Sequence, residues 1–230
     1  MIIEVTGCSG AGKSTLVREI VRHARERNLP VTTAPEMVAW LPGHPTLQNL
    51  ALDLRALCRR VRERGRDRAF LAFARQVIRR EADGVTTGLN AYRGLLRALG
   101  VHAALARRPR MVVVDEGTIN VAHNVLAHVR RAPRPEDVRR FVVLVPKPDL
   151  VVHVTAPLAV VLRRTATRPD PPLRHRSRAD NERYVRHAHA LFGALLADER
   201  LVPRTVPVFS EDDHRDQYSI HARAIVDRLL

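Results

Sequence analysis

The sequence predicts a single three-layer α/β domain, in which a parallel sheet of about five strands carries helices on both faces. Short apolar runs alternate along the chain with segments whose apolar residues recur at helical spacing. A glycine-rich loop follows the first apolar run directly, and a second run, residues 111–114, ends at two acidic residues. Strands of a parallel sheet are covered on both faces, so they read as continuous apolar runs of this kind. With 230 residues and 45% apolar composition, the chain can bury one sizeable core.

The elements follow in order from this alternation. The helix after the glycine-rich loop has Leu16, Ile20 and Ala24 on one face, and Asn28-Leu29-Pro30 ends it. We expect strands at residues 2–6, 31–33, 111–114, 149–154 and 205–209. We expect helices at about residues 14–27, 46–83, 89–107, 118–131, 136–144, 157–167, 180–198 and 213–229. The second of these helices has a candidate break near Gly65.

The loop itself fits the pattern G-x-x-x-x-G-K-[ST], which is the phosphate-binding loop, or P-loop. Its glycines let backbone N–H groups point at a phosphate, its lysine supplies a compact positive charge, and its hydroxyl can ligate Mg²⁺. The residues expected to bind the nucleotide are Gly7, Ser9, Gly10, Ala11, Gly12, Lys13, Ser14 and Thr15. The sequence therefore predicts a P-loop NTPase fold that binds ATP and Mg²⁺.

Two acidic residues, Asp115 and Glu116, directly follow the apolar run at 111–114. The carboxyl ends of parallel strands meet at one edge of a sheet, so these acids should lie close to the P-loop. We expect Asp115 to hold Mg²⁺ together with Ser14, and Glu116 to orient or deprotonate a nucleophile. The alternative is an ordinary turn with solvated acids.

A third carboxylate, Glu36, follows the second strand, with Trp40 shortly after it. At this place a carboxylate could face the γ-phosphate and prepare the hydroxyl of an acceptor. An exposed turn glutamate and a core tryptophan are equally good interpretations.

The segment at about 168–180 is too rich in Pro and Arg to be a core element, and we interpret it as a lid. Arginines on a closing segment can neutralise the charge on a transferring phosphoryl group and exclude water. Arg164, Arg168 and Arg174 are the candidates for phosphate contact. A solvated basic surface would account for some of these arginines.

A second arginine cluster spans residues 55–80 and most simply forms the outer face of a long helix. It could instead attract an anionic acceptor, with Phe73 and Gln76 reading a base. Phenylalanine at helical spacing is more often part of a core. The eleven His residues show no zinc-ligand spacing, so we interpret them as surface or local hydrogen-bonding groups.

The formal charge of +15 bears on the choice of partner. Of 39 basic residues only Lys13 and Lys147 are lysine, and arginine is spread over nearly every predicted helix. The chain has only nine aromatic residues that could stack on bases, so we favour general arginine enrichment as the cause of this charge. A nucleic-acid-binding surface is the alternative. Cys8 and Cys58 form no metal or redox spacing, and no apolar run reaches membrane-spanning length. We expect free thiols, no membrane partner and a cytoplasmic location.

Several of these motifs together resemble the thymidylate kinase and deoxynucleoside kinase superfamily of P-loop kinases. Besides the P-loop, Pro35-Glu36 with Trp40 is similar to the acceptor-activating region of deoxynucleoside kinases, and 73–76 is similar to their base-binding element. Residues 148–152, Pro157 and 162–164 resemble the passage into the lid. The resemblance implies phosphoryl transfer from ATP to a nucleoside, a nucleotide or a similar small molecule, and it makes a homodimer an option.

The acceptor stays open at this point. Where the family usually has an arginine after the acid that ends its third core strand, this chain has Asp115-Glu116-Gly117. A kinase of nucleic-acid ends or of tRNA would explain the basic charge. A P-loop ATPase that uses Glu116 to activate water is a further alternative.

Overall fold

The computed structural model describes residues 1–33, 36, 66–105, 110–174, 176–211 and 215–229. Trp40, Cys58, Gly65 and the first part of the predicted 46–83 helix lie outside these ranges. The described strands are β1 (Ile2–Thr6), β2 (Val31–Thr33), β3 (Met111–Val114), β4 (Leu150–Thr155) and β5 (Thr205–Phe209). The described α-helices are α1 (Lys13–Glu26), α2 (Arg66–Glu81), α3 (Val85–Leu105), α4 (Ala122–Leu126), α5 (Pro135–Leu144), α6 (Leu158–Ala166), α7 (Arg178–Leu196) and α8 (Arg215–Asp227). A 3₁₀ turn at Val202–Arg204 leads into β5.

The five strands form one parallel sheet in the order β2-β3-β1-β4-β5. This confirms the predicted parallel sheet and its strands within a residue at each end. Strand β1 is central, with Glu4 aligned to Val114 of β3 and to Val151 of β4. The loop after β1 and the acids after β3 therefore leave the same edge of the sheet from neighbouring strands.

The burial of β1 shows that both faces of the sheet are covered. All five residues of β1 are buried, although successive side chains point to opposite faces of a strand. Helices α1 and α8 pack on each other, whereas α2, α3, α4, α5 and α7 pack among themselves. One hydrophobic cluster joins side chains from Ile3 to Val226. The protein is thus α/β, with an arrangement compatible with three layers.

Helix α1 illustrates how local sequence sets an element. Leu16, Ile20 and Ala24 are fully buried, as their spacing predicted. The helix begins after Gly12, which is left-handed at φ 100°, and the chain leaves it through Asn28 at φ 56°. Asparagine is one of the few residues with a side chain that adopts this conformation readily.

The predicted helix at 118–131 is wrong in length, because only Ala122–Leu126 is α-helical. The backbone N–H groups of Ile119 and Asn120 donate to the carboxylate of Glu4 instead of to a preceding helical turn. Beyond the helix, Ala127 is extended, at φ −90° and ψ 120°. A long-range contact to β1 therefore overrides local helical propensity here.

Helix α3 begins at Val85, four residues before the predicted start. Gly84, at φ 134°, separates it from α2, which ends at Glu81. Among the described residues, no helix has the length and apolar character needed to cross a bilayer. Cys8 is a buried free thiol, as predicted.

Candidate functional site

The loop between β1 and α1 is packed too closely to admit side chains at two of its glycines. A Cβ on Gly7, which has φ 142°, would overlap the carbonyl oxygen of Val154. A Cβ on Gly12 would overlap the hydroxyl of Tyr218. Both positions also have positive φ, which strains any residue except glycine. The loop is thus held by β4 on one side and by α8 on the other.

Lys13 folds back across this loop. Its Nζ donates hydrogen bonds to the carbonyl oxygens of Gly7, at 2.9 Å, and Cys8, at 3.1 Å. Burial lowers the pKa of Lys13, and the charge of Asp115 opposes that shift. The ammonium group is therefore kept at the mouth of the loop by backbone oxygens, where a phosphate oxygen could replace either of them.

Ser14 and Asp115 meet at the carboxyl edge of the sheet. The hydroxyl of Ser14 donates to Oδ2 of Asp115 at 2.8 Å, across 101 residues of sequence. The other carboxylate oxygen, Oδ1, is buried and receives no hydrogen bond from any residue that the structure describes. Burial also raises the pKa of Asp115. A buried carboxylate oxygen without a donor is a group that a cation would stabilise.

This pair fits the donor set that Mg²⁺ prefers. Mg²⁺ bound with nucleotides takes one or two protein oxygens and completes its shell with water and phosphate oxygens. Within the described ranges, no cluster of three or more His, Cys, Asp or Glu side chains forms a dedicated metal cage. A metal held here would thus depend on Ser14, Asp115 and a bound phosphate together.

A buried glutamate in β1 fixes the segment that carries Asp115 and Glu116. Glu4, which is 1% exposed, accepts hydrogen bonds from the N–H groups of Ile119 at 3.1 Å and Asn120 at 2.7 Å. The Thr118 hydroxyl also donates to it, at 3.4 Å. Burial raises the pKa of Glu4 to about 7, although these hydrogen bonds act in the opposite direction.

Sequence reasoning missed Glu4, because it treated residues 1–5 as a simple apolar start. The available signal was an acidic residue inside a predicted central strand. Charged side chains are rarely buried unless they are paired or hydrogen-bonded, so its position indicated a polar partner. The backbone of Gly117 lies directly on the carboxylate, and a Cβ there would overlap Oε2 of Glu4. The glycine after Asp115-Glu116 is therefore required by packing.

A cavity of about 840 Å³ opens from the loop between β1 and α1. Its loop part is formed by Gly7, Ser9, Lys13, Ser14, Asp115 and Glu116. The polar side chains of its helical part include Thr86, Thr87, Asn90, His123, Asn124, His128 and Tyr184. Its lid part includes Arg168, Asp170, Arg174 and Arg176. The volume lies in the range of sites that enclose small molecules.

Sequence reasoning found the loop part and much of the lid part, and it missed the helical part entirely. The helical part is assembled from α3, from α4 with the turn after it, and from α7. Its members are common polar residues with no characteristic spacing, and tertiary packing alone brings them together. His123 and His128, interpreted from the sequence as local hydrogen-bonding groups, both lie in this wall.

The lid arginines differ in their surroundings. Arg168 donates to the hydroxyl of Ser9 in the phosphate loop at 2.9 Å, and Arg174 makes two hydrogen bonds to Asp170, at 2.7 and 2.9 Å. Arg164 donates to the hydroxyl of Ser210 at 3.0 Å and is not among the residues that line the cavity. Of the three arginines expected from the sequence, the cavity thus contains Arg168 and Arg174.

The two carboxylates considered for the acceptor lie in different places. Glu116 is exposed and lines the cavity beside Asp115. Glu36 is exposed, pairs with Arg25 at 2.6 Å and accepts from the N–H of Thr33 at 3.0 Å. These contacts lower the pKa of Glu36, mainly through Arg25. Glu36 does not line the cavity, so Glu116 is the better placed of the two.

Phe73 is a core residue, which confirms the interpretation that its helical spacing favoured. Phe73 is 2% exposed and belongs to the hydrophobic core, with the guanidinium of Arg140 5.3 Å from its ring centroid. Gln76 is exposed, and neither residue lines the cavity. The helical spacing of Phe73 reflected core packing.

Comparison with known proteins assigns no family. No protein-family model matches the chain, and a search of curated proteins finds no similar sequence. Function must therefore be argued from the loop, the Ser14 and Asp115 pair and the cavity they border.

Proposed function

We propose that the protein is an ATP- and Mg²⁺-dependent phosphotransferase with a P-loop NTPase fold that acts on a hydroxyl group of a small molecule, such as a nucleoside or a nucleotide. One observation carries the proposal: Lys13 and the hydrogen-bonded Ser14 and Asp115 border a cavity whose remaining wall carries a separate set of polar side chains among apolar ones. A donor site and an acceptor site would thus share one cavity. Such an arrangement suits transfer between two bound molecules.

The loop part would hold the donor. Lys13 and the loop backbone would bind the β- and γ-phosphate oxygens, with Ser14 and Asp115 as the protein ligands of the metal. Mg²⁺, when bound, neutralises charge on the phosphate oxygens. Arg168 lies on the lid within reach of Ser9, so its guanidinium can approach the same phosphates.

Glu116 is the candidate for preparing the acceptor. The acceptor oxygen forms a bond to the γ-phosphorus as the bond from that phosphorus to the β-phosphate oxygen breaks, and ADP leaves. The hydroxyl proton passes to the Glu116 carboxylate and from there to solvent. Since Glu116 lines the cavity and is exposed, it can exchange that proton.

The proposal is tested by two measurements on the wild type and on Lys13→Ala. Binding of a fluorescent ATP analogue with Mg²⁺ is titrated, and ADP formation is followed with a panel of nucleosides, nucleotides and other hydroxyl compounds. Lys13→Ala should weaken ATP binding about a hundredfold, because it removes a buried charge from the phosphate site. Lys147→Ala is the matched control, since the only other lysine contacts a backbone oxygen of α5 outside the cavity.

Each other outcome has its own interpretation. Equal ATP binding by Lys13→Ala and the wild type would refute the donor site. Acceptor-independent ADP formation that is abolished in Glu116→Gln would indicate an ATPase. Tight oligonucleotide binding that weakens steeply with salt would indicate a nucleic acid as the acceptor.

A further inference from the structure

The helical part of the cavity is polar, yet it carries no formal charge at neutral pH. Thr87 and Asn90 of α3 face it together with Asn124 of α4. Hydroxyl and carboxamide groups both donate and accept hydrogen bonds without charge. Whether this wall is neutral or positively charged depends on the protonation of its two histidines, His123 and His128.

His123 is fixed in one uncharged form. Its Nδ1 is hydrogen-bonded to the carbonyl oxygen of Asn120 and must be the donor, since a carbonyl oxygen can only accept. Burial, reinforced by the charge of Lys13, lowers the pKa of His123 to about 4. Nε2 is therefore a hydrogen-bond acceptor at neutral pH, and no described residue donates to it.

His128 is fixed in the opposite tautomer. Its Nε2 donates to the carbonyl oxygen of Val125 at 2.9 Å, and burial lowers its pKa. Both rings thus present one lone pair each and no positive charge. An anionic group in this part of the cavity would find no cation among these side chains.

Among the lid residues that the structure describes, none supplies a free cation to this wall either. Arg174 is paired with Asp170 by two hydrogen bonds. Arg176 lies 4.0 Å from the carboxylate of Asp83 and donates a hydrogen bond to the backbone oxygen of Asp83 at 3.4 Å. Arg168 is directed to Ser9 of the phosphate loop. A phosphate on the acceptor would have to displace a carboxylate or share the arginine nearest the donor.

We propose that the acceptor is an uncharged, hydroxyl-bearing molecule, and that Nε2 of His123 accepts a hydrogen bond from one of its hydroxyl groups. This inference rests on the proposed phosphotransferase function and narrows its substrate class. His123 binds and orients the acceptor, while the transferred proton follows the path given above. Its neutral state lets it take that hydrogen bond without repelling Lys13.

The first experiment compares matched pairs of acceptors. Nucleosides, inositol and glycerol are each assayed beside their own monophosphates, with ATP and Mg²⁺ held constant. At least one uncharged compound should be phosphorylated with a kcat/KM about tenfold or more above that of its monophosphate. A monophosphate used as well as, or better than, its uncharged partner would overturn the inference and leave the phosphotransferase function standing. If no compound in either half is phosphorylated, the proposed function itself fails, and the inference fails with it.

The second experiment tests His123 directly. His123→Asn keeps an N–H where Nδ1 donates and removes the acceptor atom Nε2. We expect the KM of the best acceptor to rise about tenfold, with the Kd of the ATP analogue changed less than twofold. His189→Asn is the matched control, because His189 also hydrogen-bonds a backbone carbonyl, that of Ala156 at 2.9 Å, and neither residue lines the cavity. An unchanged acceptor KM in His123→Asn would overturn the role.

A second readout covers the case in which His123→Asn does not fold. Nitrogen-15 NMR of the wild type should show His123 neutral and protonated on Nδ1 at pH 7. Adding the best acceptor should then shift the Nε2 resonance in the direction expected for a new hydrogen bond. An Nε2 resonance that stays constant at saturating acceptor would refute the contact.

Discussion

The loop part and the helical part of the cavity are built in different ways. The loop part comes from one continuous stretch after β1, to which Asp115 and Glu116 are added by the neighbouring strand. Its shape is set by the backbone, with Gly7 against Val154 and Gly12 against Tyr218. The helical part has no such continuity, because α3, α4 and α7 contribute side chains that are far apart in sequence.

The difference indicates which part tolerates change. A phosphate is bound by repeated backbone N–H groups, so its site depends on a short, exact backbone path. An acceptor is bound by side chains, and these can be exchanged on a fixed scaffold without altering the fold. Specificity is therefore expected to reside in the helical part and metal-dependent chemistry in the loop part.

The largest effect should come from disrupting the pair of Ser14 and Asp115 in the loop part, which we propose as metal ligands. Asp115→Asn removes the charge that faces Ser14 and keeps the shape of the side chain. We expect kcat to fall about a hundredfold, because an amide is a weaker metal ligand than a carboxylate. The measurement is ADP formation as a function of Mg²⁺ concentration, whose midpoint should move to higher values. Asp170→Asn, which alters a lid carboxylate that also lines the cavity, is the control and should leave that midpoint in place.

An intermediate effect should come from the contact between Gly117 and the Glu4 carboxylate, which fixes the segment that carries Asp115 and Glu116. Gly117→Ala places a methyl group against the Glu4 carboxylate, so the free energy of unfolding should fall by about 2 kcal/mol. Chemical denaturation measures this change.

Gly193→Ala in α7 is the matched control for that substitution. Beyond its chain neighbours and the backbone of its own helix, no described atom lies within 4 Å of a Cβ at Gly193, and alanine favours helix over glycine. It should raise the free energy of unfolding by roughly 0.5–1 kcal/mol. Equal effects of the two substitutions would show that Glu4 does not constrain the turn at Gly117.

The smallest effect should come from Glu36, which lies outside both parts. Glu36→Gln breaks an exposed ion pair with Arg25, and exposed pairs contribute less than about 1 kcal/mol. We expect kcat/KM to change less than about twofold, because Glu36 is exposed and does not line the cavity. Glu116→Gln, assayed beside it, should lower kcat. A large loss of activity in Glu36→Gln, with Glu116→Gln unaffected, would restore Glu36 as the acceptor-preparing carboxylate.

The sequence predicted the fold well where the signal was local. Periodicity gave α1 and its buried face, and apolar runs gave the five strands. It failed at residues 118–131, where Glu4 from β1 takes the N–H groups of Ile119 and Asn120. Local helical propensity contains no information about a hydrogen-bond partner that lies more than a hundred residues away.

By itself, the sequence determined the glycine-rich loop after β1 and the acids after β3, because the glycines, the lysine and the two acids stand directly after predicted strands. Tertiary structure alone decided three further features. It set Oδ2 of Asp115 2.8 Å from the Ser14 hydroxyl, buried Glu4 beneath the turn, and brought His123 into one cavity with Lys13. The physical reason is that these contacts join residues far apart in sequence, so only the packing of strands and helices brings their side chains together.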